Sequence, residues 1–415
     1  MVSIARKNLL EDLPRFLVAQ AGIMFAVSLV TIQTGIFKGF TRSTVLLIEE
    51  SSADIWVTSE RMVNFEQTEP ILVAQLAQAR EVDGVERAEA LLLGSSRWQL
   101  ASGETVPVKF VGFDPAGQLF EPGKVAQGEL SALAKPYNVM VDRSRLSSLE
   151  KQLGEIGTVN SFPAQIAAIT EESQSIVTSS FLFTSLENAN AYLNAGLSVE
   201  LNCQVPSDGN AQDFRCTRVY EKADVEQLAA PTPEALNLTD PITYVLVKAA
   251  PGENIEALQR RLESRLPGVR AYTRAEMAQK TREYWEGRTG IGLILGLGAT
   301  VGVIVGMVVV TQILYASVTD HIKEFGTLKA MGAPDRLLYG VVMEQAVWMA
   351  VLGYIPGMLL CLGVQSWIAT EGIIILITPA AAAGVLGLVI VMCVGSGFLA
   401  IKKVTRLDPA IVFKA

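Results

Sequence analysis

The 415-residue chain is 50% hydrophobic and 18% charged, with 7% aromatic residues and a mean hydropathy of +0.34. Soluble domains carry about 25% charged residues, and the missing charge is absent from four runs: Phe16–Phe37, Thr289–Thr319, Gln345–Thr370 and Gly372–Ile401 contain no Asp, Glu, Lys or Arg. Each exceeds the roughly 20 apolar residues that a bilayer span requires, which excludes a soluble enzyme, a secreted miniprotein or a disordered chain.

Residues 1–15 form a leader in which Ile4, Leu9, Leu10 and Leu13 suggest a short amphipathic helix on the inner membrane surface. The first span is expected over 16–37. Glu11, Asp12 and Pro14 precede it, and its exit, Gly35-Ile36-Phe37-Lys38, lacks an Ala-x-Ala site. It therefore reads as an uncleaved signal anchor.

Residues 41–288 have globular composition, and the stretch from Gly39 to Gly290 carries 34 acidic and 23 basic residues. That balance offers no basic footprint for nucleic acid. Strands are expected at Asp54–Thr58, Val85–Gln99 and Val106–Phe113, the last two joined by a turn at Ala101-Ser102-Gly103, and a helix at Ile71–Arg80. Val139–Asp142 and Gly157–Ile169 read as strands with a helix between them. Phe181–Thr184 leads into a helix at Leu186–Leu193 with Ser185 as its N-cap. A βαβ-like unit follows: strand Thr243–Lys248, turn Pro251-Gly252, helix Asn254–Leu266 and strand Val269–Tyr272. The fold class is a membrane protein of four transmembrane helices with a large α+β extracytoplasmic domain between helices 1 and 2.

Further spans are expected at 290–315, 338–366 and 373–401, around a cytoplasmic segment at 319–336 and a tail at 402–415. Arg6, Lys7 and Arg15 flank the first span; Lys323, Lys329 and Arg336 lie between the second and third; Lys402, Lys403, Arg406 and Lys414 follow the fourth. The positive-inside rule then puts both termini and the 319–336 segment in the cytoplasm. The domain over 41–288 lies outside it.

Chemistry-bearing constellations are missing from the sequence. His321 is the single histidine, so no Ser–His–Asp, Cys–His or His-based metal set is available outside the membrane, and no catalytic residue or metal site is assigned. No P-loop occurs, and no cofactor is expected on this chain. Cys361 and Cys393 sit in spans as packing residues. Cys203 and Cys216 lie outside, within a Pro/Asp/Gly/Asn-containing insertion at about 200–240, where an oxidising compartment favours a structural disulfide.

Gly292, Gly296, Gly298, Gly302 and Gly306 form ladders in the second span. Glycine at this spacing permits close helix approach, either against a partner subunit or within the chain. Glu344, two turns past Arg336, needs a partner or water at its depth in the third span; a base such as Lys329 is one candidate and the interface is the other. In the 319–336 segment, Ile322, Phe325, Leu328 and Lys329 recur at helical spacing, with Gly332 and Pro334 as stop signals. A charged helix between two spans either rests on the membrane interface or, being compact and of mixed sign, docks in a groove of another protein.

The run Asp320-His321-Ile322-Lys323-Glu324-Phe325-Gly326-Thr327-Leu328-Lys329-Ala330-Met331-Gly332-Ala333 resembles the signature of MacB/FtsX-type ABC transporter permeases. The matching positions are Lys323, Glu324, Gly326, Lys329, Ala330, Gly332 and Ala333. His321 stands where Arg is common and Phe325 where Ile is common. The same run, together with Pro14–Ile23 and Gly35–Phe40, is closest to the cyanobacterial DevC branch, and Glu344 and Asp408-Pro409-Ala410 also fit the family. The insertion at about 200–240 has no counterpart in that resemblance.

The resemblance implies a non-catalytic permease subunit, working as a pair of copies with an ABC ATPase that binds ATP and Mg. Lys323, Glu324, Phe325, Gly326, Leu328, Lys329 and Gly332 would contact or position that ATPase. It also implies a periplasmic membrane-fusion adaptor, a TolC-like outer-membrane duct, and an inner-membrane location. A transported substrate would then be a lipid, glycolipid, peptide or drug. Two alternatives stand beside it: an FtsX-like permease that regulates a cell-wall hydrolase, and a membrane-anchored sensor without an ATPase.

Overall fold

The computed structural model describes residues 13–173, 179–194, 197–204, 215–222, 230–322, 324, 327, 334–368 and 375–404. In chain order the elements are helix α1 (Leu13–Glu49), strands β1 (Ile55–Ser59) and β2 (Ile71–Leu72), helix α2 (Val73–Arg80), and strands β3 (Val85–Gln99), β4 (Thr105–Phe113), β5 (Lys124–Gln127), β6 (Asn138–Asp142), β7 (Ile156–Val159), β8 (Phe162–Glu171) and β9 (Ser180–Ser185). Helix α3 (Leu186–Leu193), strands β10 (Leu197–Gln204), β11 (Arg215–Lys222), β12 (Pro241–Ile242) and β13 (Tyr244–Ala249), helix α4 (Ile255–Arg265), strand β14 (Val269–Thr273) and helices α5 (Arg274–Thr289), α6 (Ile291–Asp320), α7 (Asp335–Ile368) and α8 (Pro379–Val404) complete them. The chain divides into two units, one made of residues 1–40 and 288–415 and the other of 41–287.

Helices α1, α6, α7 and α8 are each long and apolar enough to cross a membrane. They pack around Ala19, Ile23, Ala26, Val310, Met349 and Met392, among other small and aliphatic side chains. Four candidate spans, with an α+β unit between the first and second, are the architecture expected from the charge-free runs.

The α+β unit is organised by β3. Its first half, Val85–Leu91, pairs antiparallel with β13, while Leu92–Gln99 pairs antiparallel with β4. On the first side lies the sheet β14-β1-β13-β3, in which β13 and β14 flank β1 and both run antiparallel to it. Every residue of β1 is buried, because both faces of the sheet are covered. Leu76 and Ala79 of α2 and Leu258 and Leu262 of α4 cover one face. Trp56, Phe65, Tyr244, Leu246 and Met277 belong to the core on the other. Asn254 caps α4 by accepting from the Ala257 N–H at 3.0 Å. Complete burial, reinforced by Glu66, pushes the Tyr244 phenol far up, so it stays a neutral donor to the Phe65 carbonyl at 2.7 Å.

On the second side the strand path closes on itself. β3 pairs β4, β4 pairs β9, β9 pairs β6, β6 pairs β8, β8 pairs β7, and β7 returns to Trp98 and Gln99 of β3. The result is a six-stranded barrel with two parallel pairings, β4–β9 and β6–β8. Small barrels are filled by side chains. Here Trp98, Phe110, Val139, Ile166, Leu182 and Tyr192 belong to the barrel's core. Phe110 stacks on Tyr192 with centroids 4.4 Å apart. The Trp98 indole lies directly on Gly157 and donates to the Leu149 carbonyl at 3.2 Å.

Two expectations are corrected. Residues 157–169 form two strands, because Asn160 and Ser161 both take positive φ and make a two-residue hairpin turn. The helix expected after Val139–Asp142 is replaced by two short 3-10 turns, Arg143–Arg145 and Ser147–Leu149. Asp142 caps the first through the Ser144 N–H, and Glu150, at φ +52°, terminates the second in the left-handed region. The serine-rich run offers little helix propensity to override those stops.

Gly157→Ala places a methyl group inside the Trp98 ring. It is expected to cost about 1–3 kcal/mol, with Tm falling by about 2–4 °C per kcal/mol. Gly287→Ala, in α5 with open space around it, is expected to raise Tm slightly. Scanning fluorimetry of the purified chain measures both.

Candidate functional site

The segment between α6 and α7 is the candidate site. Of the residues predicted to contact an ATPase, Glu324 is described and exposed; Lys323, Phe325, Gly326, Leu328, Lys329 and Gly332 lie outside the described residues. The frame from which the segment departs is well defined. Helix α6 ends at Asp320, and His321 caps it through its N–H and its ring Nδ1, 2.9 Å from the Ser317 carbonyl. The Asp320 carboxylate pairs with the Arg15 guanidinium in the first turn of α1. Val318, Val342 and Ile401 are buried together, joining the end of α6, the start of α7 and the end of α8. The segment thus leaves and re-enters a base held by an ion pair and an apolar contact.

Above that base the glycines face α1. A methyl group at Gly302 would lie 2.7 Å from Leu29 Cδ2, and one at Gly306 would lie 2.9 Å from Ala26 Cβ and from Met392 Sδ. A methyl group at Gly298 would collide with the Gln33 amide, and one at Gly292 would lie 3.3 Å from the Phe37 ring. Gly296 has open space and is exposed. Four of the five predicted packing glycines therefore face α1 of the same chain. From the other side Gly353 and Gly357 of α7 meet Ile23 and Val27 of α1, so that an added methyl group would lie 2.6 Å from the first and 3.0 Å from the second. Pro356 lies between those two glycines, where it removes one helix hydrogen bond.

Glu344 is exposed on α7, and its neighbour Gln345 is 1% exposed. Neither end of the Gln345 amide has a hydrogen-bond partner among the described residues. Gln20 of α1 reaches the Met349 carbonyl at 3.5 Å. Gln20, Gln33 and Gln345 escape a search of the spans for ionisable residues alone. Their signal in the sequence is an amide inside a charge-free run, which is costly in lipid for the same reason at smaller scale.

In the α+β unit, Cys203 and Cys216 are direct partners in the β10–β11 ladder. Cys361 and Cys393 are buried in the helical unit. Among the described residues no three His, Cys, Asp or Glu side chains converge as a metal site. Burial pushes the Glu50 carboxyl up, with the nearby Arg42 partly opposing it.

Comparison with known proteins gives two family matches. The MacB-like periplasmic core domain matches residues 16–265, and the FtsX-like permease C-terminal domain matches residues 296–409. The pyoverdine export ATP-binding/permease protein PvdT of Pseudomonas savastanoi pv. phaseolicola is 24% identical over 201 residues, covering 48% of this chain and 29% of that protein. The macrolide export ATP-binding/permease protein MacB of Wolinella succinogenes is 27% identical over 160 residues, covering 39% of this chain and 25% of that protein. The chain thus spans less than a third of the length of these curated relatives. The periplasmic region of MacB from Actinobacillus actinomycetemcomitans aligns with 55% of this chain and 92% of its own, at 9% identity and a TM-score of 0.32.

Gly302→Leu is expected to separate α6 from α1 and to destabilise the detergent-solubilised chain by about 1–3 kcal/mol, whereas Gly296→Leu is tolerated. Thermal unfolding in detergent distinguishes them. Asp320→Arg sets two cations together and lowers stability in the same assay. The exchange Arg15→Asp/Asp320→Arg recovers it.

Proposed function

The chain belongs to the MacB/FtsX-type permeases, and from that premise we propose that it is the membrane subunit of an ABC exporter, driven by an ATPase domain outside these 415 residues. The observation that carries the reading is the union, in one chain, of a MacB-like periplasmic core domain with an FtsX-like C-terminal part whose inter-helix segment springs from a clamped base. Relatives named as pyoverdine and macrolide exporters support export as the output.

In this reading the ATPase is a separate chain. It docks on the segment from Lys323 to Gly332, with Lys323, Glu324, Phe325, Leu328 and Lys329 supplying charge and apolar grip. Two copies of the permease pair with two ATPase subunits. Closure of the ATPase on ATP and Mg displaces the segment, and the base formed by Val318, Val342, Ile401 and the Arg15–Asp320 pair passes that displacement to three helices and the start of α1 together. The α+β unit, outside the cytoplasm, moves a lipid, glycolipid, peptide or drug toward a membrane-fusion adaptor and an outer-membrane duct. The DevC-like residues at Pro14–Ile23 and Asp320–Ala333 support that branch. The Lys and Arg flanks support both termini on the cytoplasmic side of the inner membrane.

Affinity purification from native membranes in mild detergent tests this function. An ABC ATPase and a periplasmic adaptor are the expected partners. A cell-wall hydrolase in place of the adaptor would instead support the regulatory alternative. A cysteine introduced at Leu328 is expected to crosslink to the ATPase, and failure to do so removes the docking segment from the mechanism. Glu324→Lys is expected to leave the complex assembled and to abolish export while ATP hydrolysis continues. Unchanged export by that variant would overturn the assignment of Glu324.

A further inference from the structure

Strands β10 and β11 pair with each other through eight successive partners, from Leu197 opposite Lys222 to Gln204 opposite Arg215. They form a separate two-stranded sheet among the described residues. A two-stranded ribbon alone is marginally stable in water. Its flanks are nevertheless anchored on the barrel: the Leu193 side chain covers Gly94 of β3, and the Tyr137 hydroxyl donates to the Pro231 carbonyl. Something within the ribbon must hold the register between those anchors.

Cys203 and Cys216 are partners in that register, one rung from the loop end. Directly opposed residues of an antiparallel ladder have Cα atoms about 4.5 or 5.5 Å apart, depending on whether the pair is hydrogen-bonded. Both separations fall inside the roughly 4.4–6.8 Å that a disulfide spans. Opposed positions also share one face of the ribbon. A slip of one residue would move Cys203 off its partner and onto the other face, so the placement is specific to the observed pairing.

We propose that Cys203 and Cys216 form an intrachain cross-strand disulfide that locks the β10–β11 register. The proposal rests on the reading that the α+β unit lies outside the cytoplasm, where disulfides persist. One cysteine thiolate attacks the disulfide of a dithiol oxidoreductase to give a mixed disulfide, and the second thiolate displaces it. The two cysteines lose two protons and two electrons as their S–S bond forms. The oxidoreductase disulfide takes up the electrons and becomes a dithiol.

Trypsin cleavage after Arg215 and Arg218 puts Cys216 on a short fragment and Cys203 on another. In a non-reducing digest of the full chain from native membranes, the Cys216 fragment is expected to stay attached to the Cys203 fragment and to be released only by reductant. Its release without reductant, or a chain-to-chain crosslink mapping to either cysteine, overturns the proposal. A membrane-impermeant maleimide applied to spheroplasts separates the two premises. Labelling of Cys203 and Cys216 only after reduction supports both. Labelling before reduction overturns the disulfide and leaves the orientation standing. Labelling by a permeant maleimide alone overturns the orientation, and the disulfide with it. Cys203→Ser is expected to make Cys216 reactive without reductant; equal reactivity in the unsubstituted chain counts against the staple.

Discussion

Helix α1 is gripped along its length by glycines, and the arrangement of the helical unit depends on that grip. Lipid provides no hydrophobic drive to bring spans together, so packing has to come from close backbone approach. The contacts of α1 with α6 run in a single antiparallel register: Arg15 with Asp320, Gly22 with Val309, Ala26 with Gly306, Leu29 with Gly302, Gln33 with Gly298 and Phe37 with Gly292. Each advance of three to seven residues along α1 is accompanied by a retreat of three to eleven along α6. The contacts with α7 are parallel, from Gln20 with Met349 through Ile23 with Gly353 to Val27 with Gly357. Helix α8 completes the bundle by side-chain bonds to backbone: Ser396 donates to the Met307 carbonyl at 3.1 Å, and Tyr354 of α7 donates to Ala382 at 2.9 Å.

The α+β unit solves a different problem, because its surroundings are aqueous. Burial supplies the drive there, and what needs fixing is register. β3 does this by serving two partners with one strand, since the bonds that place Val85–Leu91 on β13 also set where Leu92–Gln99 meets β4. Closure through β7 then removes two strand edges, and Trp98 fills the closure point against Gly157. The buried Asn188 amide secures the flank by accepting from the Tyr137 N–H and donating to the Leu133 and Lys135 carbonyls, which holds Tyr137 at φ +59°.

Much of this was legible wherever the determining interactions are local. Charge-free runs announced four helices, the turn at Ala101-Ser102-Gly103 announced the β3–β4 pair, and Ser185 and Asn254 announced the starts of α3 and α4. Barrel closure was not legible, because the β7–β3, β4–β9 and β6–β8 pairings are set by contacts between distant residues, to which periodicity is blind. For the candidate site, the glycine spacing announced close approach and left its partner undecided between a second subunit and the same chain. Only the three-dimensional positions of Leu29, Gln33 and Phe37 assign Gly302, Gly298 and Gly292 to α1.

The α1–α6 register bears directly on how the two helices can move relative to each other. Side chains seated over glycines cannot slide by a fraction of a turn without climbing the neighbouring residues, and packed interfaces of this kind shift between discrete arrangements instead of deforming continuously. The seam is bounded by the half-exposed Arg15–Asp320 ion pair at one end and the Phe37–Gly292 contact at the other, with the close glycine contacts between them. Any tilt or translation of α6 would then carry α1 with it. The seam thereby makes α1 and α6 a stiff two-helix element held by close backbone approach at Gly298, Gly302 and Gly306.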